Sequence, residues 1–306
     1  MPAYAVGHKV PDSDSICSAI ALSYLKTTLG EETVAARLGE LSPETLYILD
    51  KFGFEQPELK LSYAGEELYI VDHSDRIQGP DDIDDATILG IIDHHKLGDI
   101  TTSTPLECWI RPVGCTGTII KMMYDFHQVE IPVNIAGALM CAILSDTVIF
   151  KSPTCTTADI KCVEALAEIA GIDDHLALGM EMFKVKSAVE GTPVRELVMR
   201  DFKDFNMGGN KVGIGQLEVI DLALFDNMKD ELQADIAAVK AEGERHSVIL
   251  LLTDIMKEGS ELLVVSDNDD LTEKAYGAAT VDGRVWIDGI MSRKKQVVPP
   301  LQDSLA

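Results

Sequence analysis

The chain is poor in basic residues. Its 26 Lys and Arg stand against 51 Asp and Glu, a formal net charge of −25 at pH 7 over 306 residues. That balance argues against a general nucleic-acid surface, because a phosphate backbone is held by a basic footprint. It favours solubility, and it requires that any anionic substrate be drawn in by a local cluster of cations or metal ions. No apolar run approaches the ~20 residues that span a bilayer, the longest being residues 135–144, so no membrane partner is expected. Residues 1–10 carry no basic stretch leading into a long apolar core, so no secretory signal is expected and a cytoplasmic location is. The six cysteines (Cys17, Cys108, Cys115, Cys141, Cys155 and Cys162) include no CxxC pair, and most sit beside apolar residues. They are expected to be reduced, buried thiols rather than a zinc site. There is no internal repeat and no low-complexity tract.

What is present is alternation. Tyr4-Ala5-Val6, Leu68-Tyr69-Ile70-Val71, Ile88-Leu89-Gly90-Ile91-Ile92 and Cys108-Trp109-Ile110 read as strands. Residues 15–28 and a segment from Gly114-Cys115-Thr116-Gly117 to about Phe126 read as helices, as do residues 134–144 and 156–170. Strands alternating with helices predict an α/β fold with a mainly parallel sheet. The hydrophobic pattern breaks between residues 184 and 194, where Gly191-Thr192-Pro193 marks a turn, so the domains are drawn as 1–187 and 194–306. Strands over 211–214, 247–252, 261–265 and 284–287, with a helical stretch over 222–239, predict a smaller, mixed α/β second domain.

Asp93-His94-His95, at the end of an apolar strand, offers one edge of the sheet both hard oxygen and borderline nitrogen donors, a mixture that suits divalent metals. The first loop, GHKVPDSDS over residues 7–15, contributes His8, Asp12 and Asp14. Its Asp-x-Asp can direct two carboxylates at different ions, or Asp14 or Ser15 can simply cap the following helix. Asp72 ends the strand in LYIVDHSD, and Asp146 lies where an apolar helix gives way to Ser145-Asp146-Thr147. Ligands of open α/β sheets gather at the carboxyl ends of the strands. Carboxylates crowded there repel one another and lose solvation, and a pair of divalent cations resolves the conflict. Four aspartates and two histidines suit two ions about 3.5–4 Å apart, and an oxygen-rich set favours Mn²⁺, Co²⁺ or Mg²⁺ over structural zinc. Two such ions activate a hydroxide for attack on phosphorus, so hydrolysis of a phosphoanhydride or phosphodiester is the expected chemistry.

Arg293-Lys294-Lys295 is the only run of three basic residues. It is flanked by Gly289-Ile290-Met291 and Val297-Val298, which favour a packed segment over a solvated tail. Arg offers a planar fork to phosphate oxygens and Lys a compact charge. Lys203, among acids, reads on spacing alone as an ordinary surface lysine or as a weaker candidate. His95 is either a support or a substrate contact, or it bonds within its own loop.

Taken in order, GHKVPDSDS, IVDHSD, IIDHHKLGD, LSDT and SRKKQVVP resemble the family II (manganese-dependent) inorganic pyrophosphatases of the DHH phosphoesterase superfamily. The resemblance spans nearly the whole chain. It implies an N-terminal DHH domain and a DHHA2-type C-terminal domain, and hydrolysis of pyrophosphate to two phosphates between them. It implies two Mn²⁺ per subunit, replaceable by Co²⁺ or Mg²⁺, with further Mg²⁺ arriving with the substrate. By resemblance, His8, Asp12, Asp72 and Asp146 hold one ion, and Asp14, Asp72, His94 and Asp146 the other. His95, Lys203, Arg293 and Lys294 resemble substrate contacts, and Asp93 a residue that orients the histidines. A cytoplasmic homodimer is implied. Ser74-Asp75 stands where the family often has Asn-Glu, and Lys9-Val10 fills a variable part of the first loop. No room exists for a regulatory nucleotide-binding insert. The alternatives are a polyphosphatase or an oligonucleotide phosphodiesterase. Relatives of the latter kind carry a Gly-Gly-Gly-His element, to which Gly208-Gly209-Asn210 is the nearest approach.

Overall fold

The computed structural model describes residues 2–187 and 191–305. The chain forms two compact units, residues 1–185 and 186–306. Of the predicted junction over 184–194, residues 188–190 lie outside the described residues, as do the predicted domain ends at 1 and 306.

In the first unit, β1 (Ala3–Val6) leads into α1 (Ser13–Thr28), β2 (Thr33–Arg37), α2 (Pro43–Lys51), β3 (Glu58–Leu59), β4 (Glu67–Val71), β5 (Thr87–Asp93) and β6 (Glu107–Ile110). Then come α3 (Thr116–His127), α4 (Val133–Asp146), α5 (Thr157–Ala170) and α6 (His175–Lys186). The six strands form one sheet in the order β3-β2-β1-β4-β5-β6, and every pairing is parallel. Chain order reverses between β1 and β4, which makes that pair the switch point at which the loops leave the sheet in opposite directions and open a crevice. The period-two pattern of β4 places Leu68 and Ile70 in a cluster with Val6, Ala36, Tyr63, Ile88 and Ile91. α4 is buried continuously over residues 135–145 and packs on α1, α3 and α5, which explains an apolar helix with no polar face.

The sequence-based elements hold for β1, β4, β5, β6, α1, α3, α4 and α5, with boundary shifts of one or two residues. β2, β3, α2 and α6 were not expected. β3 is two residues long and exposed, so nothing but its pairing with β2 marks it. α2 has a readable start, since Ser42 caps it and Pro43 opens it, but only Thr45, Ile48 and Leu49 give it a buried apolar side.

The second unit contains α7 (Val194–Met199), β7 (Phe202–Met207), β8 (Asn210–Val219), α8 (Lys229–Glu242), β9 (Ser247–Asp254), β10 (Gly259–Ser266), α9 (Leu271–Tyr276), β11 (Arg284–Asp288) and α10 (Val298–Ser304). Its sheet runs β11-β10-β9-β8-β7, with β8 and β9 parallel and the other pairs antiparallel. β9 is central and buried at all eight residues, so both its faces meet apolar partners. Val248, Leu250 and Leu252 pack with Leu232, Ile236 and Val239 of α8. Ile249 and Leu251 pack with Leu271, Val297 and Leu301 on the other side. The helical stretch expected over 222–239 is divided into a short 3-10 turn (Leu222–Phe225) and α8.

Candidate metal centre

The switch-point loops carry the first donors. Gly7 follows β1, where a Cβ would overlap the Ser15 hydroxyl, so the chain can turn tightly into α1 only without a side chain. The His8 backbone N–H donates to Ser15 Oγ at 3.1 Å, which fixes this turn. Helix α1 begins at Ser13, and its cap is Asp12 rather than Asp14 or Ser15. Asp12 Oδ1 accepts from the Ser15 N–H at 2.9 Å, and its Oδ2 lies 3.4 Å from His8 Nε2. Capping therefore occupies one oxygen of Asp12 and leaves the other toward His8. Asp14 is fully buried in the first turn, and its carboxylate accepts from Ser18 Oγ (2.8 Å), Thr116 N (2.6 Å) and Gly117 N (2.9 Å).

Asp72 sits immediately beyond β4 in the left-handed region, φ 62°, where a non-glycine residue is held by its surroundings. Its two oxygens face different partners. Oδ2 lies 3.2 Å from His8 Nε2, while Oδ1 lies 3.5 Å from His94 Nε2 and accepts from Thr116 Oγ1 at 3.2 Å. Burial, reinforced by the Asp14 and Asp12 carboxylates, pushes the Asp72 carboxyl well above its ordinary range. Burial alone would lower the pKa of His8, but Asp12 and Asp72 override it and raise it to about 10.

The two histidines after β5 differ in how they are held. His94 Nδ1 donates to the Val113 carbonyl at 3.0 Å, so the Nε2 lone pair is directed at Asp72 and at Asp146, 3.7 Å away. His95 Nδ1 donates to Asp93 Oδ1 at 2.9 Å, and its N–H bonds to the same oxygen. Nδ1 is also the atom that lies 3.6 Å from Asp72, so as a ligand it would have to give up Asp93. The His94 side chain is 8% exposed and that of His95 31%, which sets the second imidazole toward solvent. Burial would raise the Asp93 carboxyl, but the His95 bonds hold it below its usual value.

Among the described residues, three donor groups have atoms within 4.8 Å of one another: His8, Asp12 and Asp72; Asp72, His94 and His95; and Asp14, Cys115 and Asp146. The six metal-binding candidates are therefore gathered at the carboxyl edge of one sheet, with Asp72 common to two groups. Oxygen and imidazole donors around crowded, buried carboxylates fit divalent cations, which supply the positive charge that these carboxylates lack.

The basic candidates are gathered in the second unit. Lys203 lies on β7 opposite Ile214 of β8. Arg293 and Lys294 open a single π-helical turn (Arg293–Val297), a rare geometry. The turn is folded by Gln296, whose Oε1 accepts from the Met291 and Ser292 N–H groups at 2.9 and 3.0 Å, and whose Nε2 donates to the Gly289 carbonyl at 2.6 Å. Arg293 is 11% exposed and partly committed within the protein. It donates to the carbonyls of Asp201 (2.7 Å) and Ile214 (3.2 Å) and to Asp201 Oδ1 (2.8 Å). Lys294 is exposed. Burial would raise the Asp201 carboxyl, but Arg293 and Lys203 outweigh it and hold it low.

Residues 3–143 match the DHH family, N-terminal domain, and residues 180–304 match the DHHA2 domain. A "Probable manganese-dependent inorganic pyrophosphatase" of Archaeoglobus fulgidus is 48% identical over 99% of this chain and 98% of its own length. The manganese-dependent inorganic pyrophosphatase of Methanocaldococcus jannaschii is 44% identical over 98% of both chains. This chain belongs to the manganese-dependent, family II inorganic pyrophosphatases. A crystal structure of a family II member from Methanococcus jannaschii superposes with a TM-score of 0.88 at 43% identity, covering 99% of each chain. An exopolyphosphatase-related protein from Bacteroides fragilis, 13% identical with a TM-score of 0.53, shares the fold.

Within this family II chain, several residues around the donors escaped sequence analysis. Cys115, expected only as an inert thiol, caps α3 beside Asp14 and Asp146, and burial with those carboxylates pushes its thiol up. Residues 113–118 reach three candidate ligands: Val113 holds His94, Thr116 and Gly117 hold Asp14, and Thr116 bonds Asp72. Asp159 fastens that segment by accepting from Gly114 N at 2.9 Å and Thr118 Oγ1 at 2.7 Å, while also closing the capping box of α5. His73, next to Asp72, donates Nδ1–H to the Val71 carbonyl, and burial followed by the nearby His8 lowers its pKa to about 4. A helix-start signal at Cys115 and the capping-box spacing at Thr156 and Asp159 were the only local cues. Their connection to the donors spans roughly 40 to 100 residues.

Proposed function

We infer that this enzyme hydrolyses inorganic pyrophosphate to two phosphates with Mn²⁺ bound at the carboxyl edge of the first unit. The observation that carries this reading is the divided carboxylate of Asp72, one oxygen on the His8–Asp12 side and the other toward His94. Its relatives are inorganic pyrophosphatases named for manganese, and the donor set suits that ion.

In this reading, His8, Asp12, Asp72 and Asp146 hold one ion and Asp14, Asp72, His94 and Asp146 the other. Ions held there would supply Lewis acidity, lowering the pKa of water and offsetting phosphate charge. The chain's own residues do the rest. The β1–α1 turn and residues 113–118 keep the carboxylates oriented before substrate arrives. Asp93 accepts from His95 Nδ1–H and so holds the ring with Nε2 free of that bond; with a proton on Nε2 as well, this nitrogen donates to a substrate oxygen. Lys203, Lys294 and Arg293 carry the charge that gathers on the departing phosphate. Asp201 holds the Arg293 guanidinium in one orientation, so less ordering remains to be done on binding. The functional division follows the two units: donors in the first, cations in the second. Further Mg²⁺ with the substrate, replacement of Mn²⁺ by Co²⁺ or Mg²⁺, a homodimer and a cytoplasmic location belong to the same reading and rest on the family resemblance.

The deciding experiment compares phosphate release from pyrophosphate, tripolyphosphate and a short oligonucleotide, with Mn²⁺ and after chelation. Pyrophosphate should be the preferred substrate, and chelation should abolish turnover. Faster release from tripolyphosphate, or turnover unaffected by chelation, would overturn the assignment.

A further inference from the structure

A buried glutamate stands behind the proposed ligands. Glu44 lies in the first turn of α2 and is 3% exposed. Its Oε2 accepts from Ser13 Oγ at 2.8 Å and from Ser145 Oγ at 2.8 Å. Ser13 Oγ also lies 3.1 Å from Thr45 Oγ1, which is 2.9 Å from the α2 cap, Ser42 Oγ. One carboxylate oxygen thus ties the start of α1 and the end of α4 to α2. An acid in the first turn of a helix complements the helix dipole while remaining in water, so burial is not needed for that purpose. Burying a carboxylate is costly unless it is hydrogen-bonded, and here Oε2 takes two bonds, both from serines elsewhere in the chain.

The position of those serines is what matters. Ser13 separates Asp12 from Asp14, whose carboxylates go to different donor groups. Ser145 immediately precedes Asp146 in the last turn of α4. With 3.6 residues per helical turn, pinning the azimuth of Ser145 also sets that of Asp146. We propose that Glu44 is a positioning residue that fixes the first turn of α1 against the last turn of α4, and so the separation of the Asp12, Asp14 and Asp146 carboxylates. The proposal rests on the reading of those three as metal ligands. Glu44 touches neither ion nor substrate. Its effect is on how well the donors are arranged before the ions arrive.

The test is Mn²⁺ affinity, measured from the electron paramagnetic resonance signal of free Mn²⁺, with thermal melting of each metal-free variant as the folding control. Glu44→Ala and the Ser13→Ala/Ser145→Ala pair should each weaken binding by about 10- to 100-fold. Combining all three changes should be no worse than Glu44→Ala alone, because they remove one connection. Glu44→Gln, whose amide oxygen can accept both hydroxyls, should restore most of the affinity. At saturating Mn²⁺ the KM for pyrophosphate should be unchanged. Affinity of Glu44→Ala within about twofold of the parent would overturn the proposal, as would serine variants that bind normally while Glu44→Ala does not. If Glu44→Ala fails to fold, the serine pair decides on the same thresholds. An unaltered protein that binds no Mn²⁺, or an Asp72→Asn variant that binds as the parent does, would instead remove the ligand reading on which the proposal stands.

Discussion

Asp72 shows how much a single side chain is asked to do at this edge. It is the shared member of two donor groups, it is buried, and it holds a left-handed backbone, so no neighbour can take its place. Asp72→Asn should cost more than the about 100-fold that loss of an outer partner costs, and metal analysis of the purified variant should find both ions depleted. The paired imidazoles allow a sharper distinction. His94→Gln should lower Mn²⁺ affinity, whereas His95→Gln should leave metal content intact and lower kcat by about 10²–10⁴-fold. Side-by-side metal analysis and steady-state kinetics check this, and equal metal loss in both variants would contradict the division. Of the candidate donors, Asp72, His94 and Asp146 stand out in the sequence because each closes an apolar run, as in Ile91-Ile92-Asp93-His94, whereas Asp12 and Asp14 lie in a polar loop. Cys115, Thr116 and Asp159 do not stand out, because their importance comes from residues distant in sequence, such as the 102-residue separation of Asp14 and Thr116.

At the scale of elements, the π-helical turn and helix α1 each make a testable case. Gln296→Leu removes the bonds that fold the turn presenting Lys294, so KM for pyrophosphate should rise by about 10-fold with Mn²⁺ content unchanged. On α1, Lys26 is buried and donates to Glu107 of β6 at 2.5 Å. Burial would raise the Glu107 carboxyl, but Lys26, with Trp109, brings it below its usual 4.5. A carboxylate depressed in the folded state contributes stability that is complete above its unfolded pKa and lost as pH falls through the folded value. Lys26→Met should therefore destabilise by about 1–3 kcal/mol near neutrality, and the difference should shrink as the medium becomes acid below 4.5. Urea denaturation over that range measures it. Among the elements that sequence reasoning missed, two exist only through a partner: β3 on β2, and β7 on β8, with only one fully buried side chain in its length. By contrast β5 and β9 announce themselves, since strands covered on both faces must be apolar throughout.

For the whole molecule, a chain with net charge −25 gathers carboxylates at one edge of a sheet, so cations held there would contribute to the fold as well as to chemistry. Chelation should lower Tm, and restoring Mn²⁺ to about 100 times its Kd should return about 2.7 kcal/mol of stability. Differential scanning calorimetry with and without chelator checks both. The two-unit organisation was legible from the break in hydrophobic pattern, because each unit must enclose a core of its own. The strand order was not, since β2 and β3 have weak apolar signatures, and with them the location of the switch point remained hidden.

That switch-point sheet has an opposite rim with a different freedom. The turns before β2 and β4, at Gly30 and Gly65, lie at the amino ends of the strands. Both glycines are exposed, with nothing within 4 Å of where a side chain would begin. Both hold a positive φ that suits glycine, so a tether, a label or a further module belongs beside them rather than in their place, on the rim opposite the candidate ligands.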